Sequence, residues 1–221
     1  MPFQKRFSIG MSGRRDPFDA LHARYDAWFT RHRAAYESEL LAVRAFLPGE
    51  GLGLEIGVGT GRFAVPLGIK VGLDPSEAML AYARARGVLV IQGKAESLPF
   101  AGSTFDFILM VTTICFVADV KAMLLEAKRV LQSRAPLIIG FVDKDSAMGR
   151  EYLLHKEENV FYREATFYSA TEVEGLLREA GFEKNLCWGQ TLFHPLSATQ
   201  EVEPFKKGRG IGGFAVVSAH C

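Results

Sequence analysis

Apolar side chains recur at three- and four-residue steps early in the chain, at Phe18, Leu21, Tyr25, Trp28 and Phe29. That spacing predicts a helical stretch from Pro17 to Leu47, with Pro17 as its start signal, Pro48-Gly49 as its stop and room for one break inside. After the turn Pro48-Gly49-Glu50-Gly51 the period shortens. Leu52–Val58, Val71–Leu73, Val88–Gln92, Phe105–Val111 and Pro136–Val142 read as short buried strands. Between them lie helical runs over Arg62–Leu67, from Ser76 through Met79 and Tyr82 to Arg86, and over Val120–Leu131. Ser76 can cap the second of these and Gly87 can close it. Tyr152–Phe167 is less regular, and Thr171–Ala180 is a helix ended by Gly181. Phe182–Trp188 and Gly213–Ser218 are late strands with no helix between them, a connection that permits antiparallel pairing. Alternating strand and helix predict a doubly wound α/β sheet.

Three regions follow: a flexible tail over 1–15, an N-terminal helical cap over 16–48, and the α/β domain over 49–221. The 221 residues carry 26 Lys+Arg against 25 Asp+Glu, a net charge of +1 that gives no electrostatic reason to expect nucleic acid or an anionic membrane as partner. The tail mixes Arg and Lys with Ser and Gly but lacks the apolar run of a signal peptide. No stretch approaches the ~20 apolar residues of a membrane span. Cys115, Cys187 and Cys221 are widely spaced and show no metal-ligand pattern. They read as reduced thiols of a cytoplasmic protein, with no metal expected.

The candidate chemistry starts at Leu54-Glu55-Ile56-Gly57-Val58-Gly59-Thr60-Gly61-Arg62-Phe63. A buried strand runs into three alternating glycines and then a helix, whose first N–H groups are expected to be unpaired and available to a ligand. Asp74, at the tip of the next strand, is placed to accept hydrogen bonds from both hydroxyls of a ribose. Dinucleotide-binding loops share this layout but need their third glycine one place later, where Arg62 stands. On the loop alone, dinucleotide and nucleoside ligands both remain open.

Four segments in series resemble the class I S-adenosylmethionine-dependent methyltransferases of the small-molecule type with a Leu-Pro-Phe motif. They are Glu55–Gly61, Gly72–Met79, Gly93–Phe100 (with Leu98-Pro99-Phe100), and Phe105–Ile108 with the helix ending Lys128-Arg129-Val130-Leu131. The resemblance covers about Leu52–Gly140 and weakens out to Phe182. It implies a Rossmann-like methyltransferase fold: a mostly parallel seven-stranded sheet, its last strand antiparallel, under an N-terminal helical cap. It also implies S-adenosylmethionine as cofactor, S-adenosylhomocysteine as product and a small-molecule methyl acceptor as partner. Carried over by matching residues, the backbone of Gly57, Val58, Gly59 and Gly61 lies along the methionine part, and Glu55 approaches its ammonium. Asp74 holds the ribose, Pro75 and Met79 wall the adenosine, and Ala95 and Glu96 meet the adenine. Met110 and Val111 offer backbone to the amino-acid tail. Lys94 stands where an aspartate is common, which moves the adenine acceptor to Glu96. Ser133-Arg134-Ala135-Pro136 replaces the usual Pro-Gly-Gly turn.

Methyl transfer needs no protein nucleophile or metal, only alignment at close range, with a general base where the acceptor arrives protonated. No residue stands out as that base: His22, His155 and His194 are isolated. The acceptor site is expected among Tyr25, Trp28 and Phe29, then Thr112, Thr113 and Phe116, then Tyr152, His155, Phe161 and Tyr162, although the first three at helical spacing also suit a packing face. A non-catalytic protein that binds S-adenosylmethionine or S-adenosylhomocysteine, or an NAD(P)-dependent oxidoreductase, are the alternatives. Met110-Val111-Thr112-Thr113 stands where a nucleic-acid methyltransferase would carry an Asn/Asp-Pro-Pro-aromatic motif.

Overall fold

The computed structural model describes residues 16–182 and 184–220, so the expected tail and Cys221 lie outside the described residues. Three helices open the chain: α1 (Pro17–Ala20), α2 (His22–Arg31) and α3 (Arg33–Arg44). The single break expected inside the cap is two, at Leu21 and His32, each with non-helical backbone. Strand and helix then alternate through β1 (Gly53–Ile56), α4 (Ala64–Leu67), β2 (Val71–Asp74), α5 (Glu77–Ala85), β3 (Leu89–Gln92), β4 (Phe107–Val111), α6 (Val120–Val130) and β5 (Pro136–Val142). The chain ends with α7 (Ala147–Leu154), α8 (Ala170–Glu179), β6 (Lys184–Thr191), β7 (Lys206–Lys207) and β8 (Phe214–His220). Ser76 caps α5, its hydroxyl accepting from the Met79 N–H at 3.2 Å.

The sheet runs β3-β2-β1-β4-β5-β8-β6-β7. The first five strands are parallel, and β8 is inserted antiparallel between β5 and β6. An eighth strand, β7, joins the edge beyond the seven expected; at two residues it is too short to leave an alternation signal. α7 likewise falls partly in the stretch read as irregular.

Period-two alternation divides the sheet's side chains between two cores, the condition for helices on both faces. Leu54, Ile56, Ile108, Met110, Leu137 and Ile139 pack with α6 and α8 on one side. Phe107, Leu109, Val111, Ile138 and Val216 pack on the other with Ala35, Ala42 and Val43 of α3 and Leu80 and Ala83 of α5. The sequence order reverses at β1, which lies between β2 and β4, and such a switch point opens a crevice at the carboxyl ends of the strands.

Candidate active site

The glycine loop leaves β1 at this crevice. Gly57 has φ +75°, and a Cβ there would lie 2.3 Å from Thr113 Oγ1, so only glycine fits the turn. Gly61, at φ +79°, lies against the backbone of Ala83 in α5 and is a packing position. The first N–H groups of α4 are not free as expected: that of Val65 donates to the Gly61 carbonyl and that of Leu67 to the Phe63 carbonyl, both at 3.2 Å. In the loop the N–H groups are engaged as well. Those of Gly57 and Val58 donate to the Leu73 carbonyl at 2.7 and 3.0 Å, and that of Gly61 to Val58. The Gly59 N–H donates to Asp74 Oδ2 at 2.9 Å. α4 is a single turn. With these donors engaged and Gly61 a packing position, the loop suits a ligand that meets bare backbone better than it suits a pyrophosphate.

A cavity of about 310 Å³ opens over this loop. Gly57, Gly59, Asp74, Pro75, Met79, Ala95, Glu96 and Val111 line it, each expected there from the sequence. Val58, Gly61 and Met110 do not: their side chains or Cα atoms face the packed interior. Glu55 does not line it either. It is 1% exposed with Oε2 lacking a hydrogen-bond partner among the described residues. Burial pushes its carboxyl well above the usual range, and the nearby Ala64 N–H offsets only part of that. Asp74 also accepts from the Ser76 N–H at 2.9 Å, so both its oxygens are oriented by backbone. Burial nevertheless raises its pKa, with Asp16 and Asp19 adding to the effect.

The Leu98-Pro99-Phe100 motif acts at one remove. The Leu98 N–H donates to Glu126 Oε2, and the Arg129 guanidinium donates to the Leu98 and Phe100 carbonyls at 2.9 and 2.8 Å. This clamp from α6 holds the loop that carries Ala95 and Glu96. Glu96 in turn accepts from the Ala118 N–H at 3.2 Å.

A second cavity, about 420 Å³, lies against the first. Tyr25, Trp28, Phe29, Thr112, Phe116, Tyr152 and His155, the expected acceptor residues, all line it, as do Phe161 and Tyr162. Thr113 lines the first cavity. Tyr25, Thr112 and Phe116 belong to both, so they form the partition. Phe18 of α1 packs edge-on to Phe116 at 4.9 Å and to Tyr25 at 5.6 Å. Thr112 has φ +50°, an unfavourable region for a β-branched residue, and such strain concentrates at functional sites. Cys115, half-buried, donates its thiol to the Thr112 carbonyl at 3.2 Å, and burial pushes its pKa up to about 12, so it is no thiolate.

Sequence reasoning missed several wall residues. Asp16 and Phe18 close the first cavity from the cap, and Glu39 lines the second. Glu39 carries no local sequence signal, so only the fold shows it inward. Among the described residues no cluster of three or more His, Cys, Asp or Glu is arranged for a metal, and no helix is long and apolar enough to cross a membrane.

Comparison with known proteins agrees with this geometry. A family model described as a methyltransferase domain matches residues 54–139. A solved Thermotoga maritima structure, described as a SAM-dependent methyltransferase and possible histamine N-methyltransferase, is 52% identical. The match covers 92% of this chain and 97% of that one, with a TM-score of 0.89. An uncharacterised protein of Methanocaldococcus jannaschii is 45% identical, covering 91% of this chain and 97% of its own. A ubiquinone biosynthesis O-methyltransferase of Azorhizobium caulinodans is 31% identical over 69% of this chain and 67% of its own. Fold, loop and relatives define one class. This chain belongs to the S-adenosylmethionine-dependent methyltransferases, and its cofactor is S-adenosylmethionine.

Proposed function

We propose that the chain transfers the methyl group of S-adenosylmethionine, held in the first cavity, to a small molecule in the second by in-line displacement. The observation that carries this reading is the shared partition: Tyr25, Thr112 and Phe116 line both cavities, so two ligands would meet there. A non-catalytic binder of the cofactor has no use for a second, aromatic-walled cavity at that point.

When bound, the cofactor would supply a methyl carbon activated by its sulfonium, open to an acceptor lone pair as the carbon–sulfur bond breaks with its electrons on sulfur. The chain's own residues position and desolvate. Asp74, pre-oriented by the Gly59 and Ser76 N–H groups, would accept from ribose hydroxyls. Ala95 and Glu96 would meet the adenine, with Pro75 and Met79 as the apolar wall. The backbone of Gly57, Gly59 and Val111 would follow the amino-acid part. Tyr25 and Phe116 present aromatic faces where the sulfonium and acceptor would meet, and such faces tolerate positive charge. The relatives include an O-methyltransferase and a possible N-methyltransferase, so their names leave the acceptor atom open.

Calorimetric titration of S-adenosylmethionine, S-adenosylhomocysteine and NADH tests the cofactor site. The wild type is expected to bind the first two and not NADH, and Asp74→Ala to weaken both by roughly tenfold or more. Binding of NADH alone, or unchanged affinity in Asp74→Ala, would overturn the assignment.

A further inference from the structure

Glu39 is unlike the other buried acids. Asp26 is paired to Arg62 and Arg86, and Asp74 accepts two backbone N–H groups. Asp143 accepts from the Asp145 and Ala170 N–H groups, and Glu203 from the Phe193 N–H. Glu55 has the Ala64 N–H beside it; its Oε2 is unpartnered, but Glu55 lines neither cavity. Glu39 is 6% exposed, and among the described residues neither a charge nor a hydrogen bond offsets its burial. It is also a carboxylate that lines the second cavity.

The remaining charges there are at the rim. Arg24 and Arg31 are exposed, as are Glu151 and Glu158, so the mouth is balanced. His155, also exposed, lies 3.5 Å from Glu158. Inside, the walls are the rings of Tyr25, Trp28, Phe29, Tyr152, Phe161 and Tyr162.

We propose that the methyl acceptor carries an ammonium on a flat apolar body, with the ammonium anchored against Glu39, the body between the aromatic faces, and a separate lone-pair atom of that body, not the ammonium nitrogen, offered to the methyl at the partition. The inference rests on the methyltransferase reading for naming this cavity the acceptor site. A buried carboxylate without a partner is costly to keep, and a ligand cation supplies the missing partner. The negative faces of the surrounding rings favour the same charge. Burial holds the Glu39 carboxyl up to about 8 when no cation is near; a seated ammonium restores its charge.

The test uses the full chain saturated with S-adenosylhomocysteine. Benzylamine, 2-phenylethylamine, 3-phenylpropylamine and tryptamine are titrated against it beside the alcohol of matching shape for each. At least one amine is expected to bind roughly tenfold or more tighter than its alcohol. Glu39→Gln, which keeps the shape and removes the charge, is expected to lose that preference while holding S-adenosylhomocysteine as the wild type does. Glu39→Asp, with the carboxylate drawn back one methylene, should retain part of it. No preference for any amine, or a preference that survives in Glu39→Gln, overturns the proposal. If S-adenosylhomocysteine itself does not bind, the methyltransferase reading fails; amine binding to the chain alone then still reports on Glu39.

Discussion

At the scale of single residues, the acids carry the most information, because each buried one must be explained by what it meets. Glu39 makes a prediction independent of any ligand. With its carboxyl raised to about 8 in the fold, the folded chain binds one proton more here than the unfolded chain, from the ordinary glutamate value up to that point. This contribution to stability is therefore complete in acid and is lost as the pH rises through about 8. Glu39→Gln lacks that slope. Urea unfolding across pH 5 to 9 is expected to show the variant gaining on the wild type as pH rises, by on the order of 2 to 4 kcal/mol at the alkaline end. Parallel stability curves would mean the carboxyl is solvated. Nothing in the sequence distinguishes Glu39 from Glu37, two places away and exposed to an Arg33 ion pair; the burial is a property of the assembled cavity. Asp74 was legible because its neighbours in sequence, a glycine loop before it and Pro75-Ser76 after it, carry the geometry. Thr112 and Arg134 were not: both hold positive φ, +50° and +64°, a conformation that neither side chain favours.

At the scale of elements, the cap is tied to the cofactor loop by one cluster. Asp26 of α2 accepts from Arg62 Nε and Nη2 at 2.9 and 2.6 Å, and from Arg86 Nη1 and Nη2 at 2.9 and 2.8 Å. Arg86 also donates to the Thr60 carbonyl within the glycine loop, and Tyr36 of α3 donates to the Arg62 carbonyl. Two guanidiniums hold the Asp26 carboxyl far below the usual range despite its desolvation. Stability from this cluster is thus present above the ordinary aspartate value and lost as pH falls below about 4. Asp26→Asn is expected to cost about 2 kcal/mol at pH 7, less than a fully buried pair would, because the guanidiniums keep a quarter of their exposure. Chemical unfolding at pH 7 and pH 3 checks this: the deficit should shrink in acid. Helix and strand types were legible from periodicity, since each apolar position had one sheet face to choose. The second break in the cap, the two-residue edge strand β7 and the start of α7 were not, because each is too short or too irregular to leave a periodic signal.

At the scale of the whole molecule, the two cavities and the cap make one arrangement. α1 buries none of its own residues, yet Asp16 and Phe18 wall the first cavity. Asp19 accepts from the Ser76 hydroxyl at the head of α5, and Phe18 packs against Tyr25 and Phe116 of the partition and against Phe161. An element with so little burial of its own draws its order from what it covers. Filling the first cavity would add contacts to Asp16 and Phe18, so cofactor binding should stabilise α1 more than elements remote from the crevice. Hydrogen exchange measured with and without S-adenosylhomocysteine checks this. The amides of Asp19, Ala20, Leu21 and Tyr25, which donate to the Asp16, Pro17 and Leu21 carbonyls, are expected to slow by roughly tenfold or more at saturation, while those of α8, on the opposite face, change little. Equal slowing everywhere would mean that the ligand stabilises only the global fold. No slowing at α1 would place the cap outside the binding step, and the walls formed by Asp16 and Phe18 would then be a resting contact with no part in holding the cofactor.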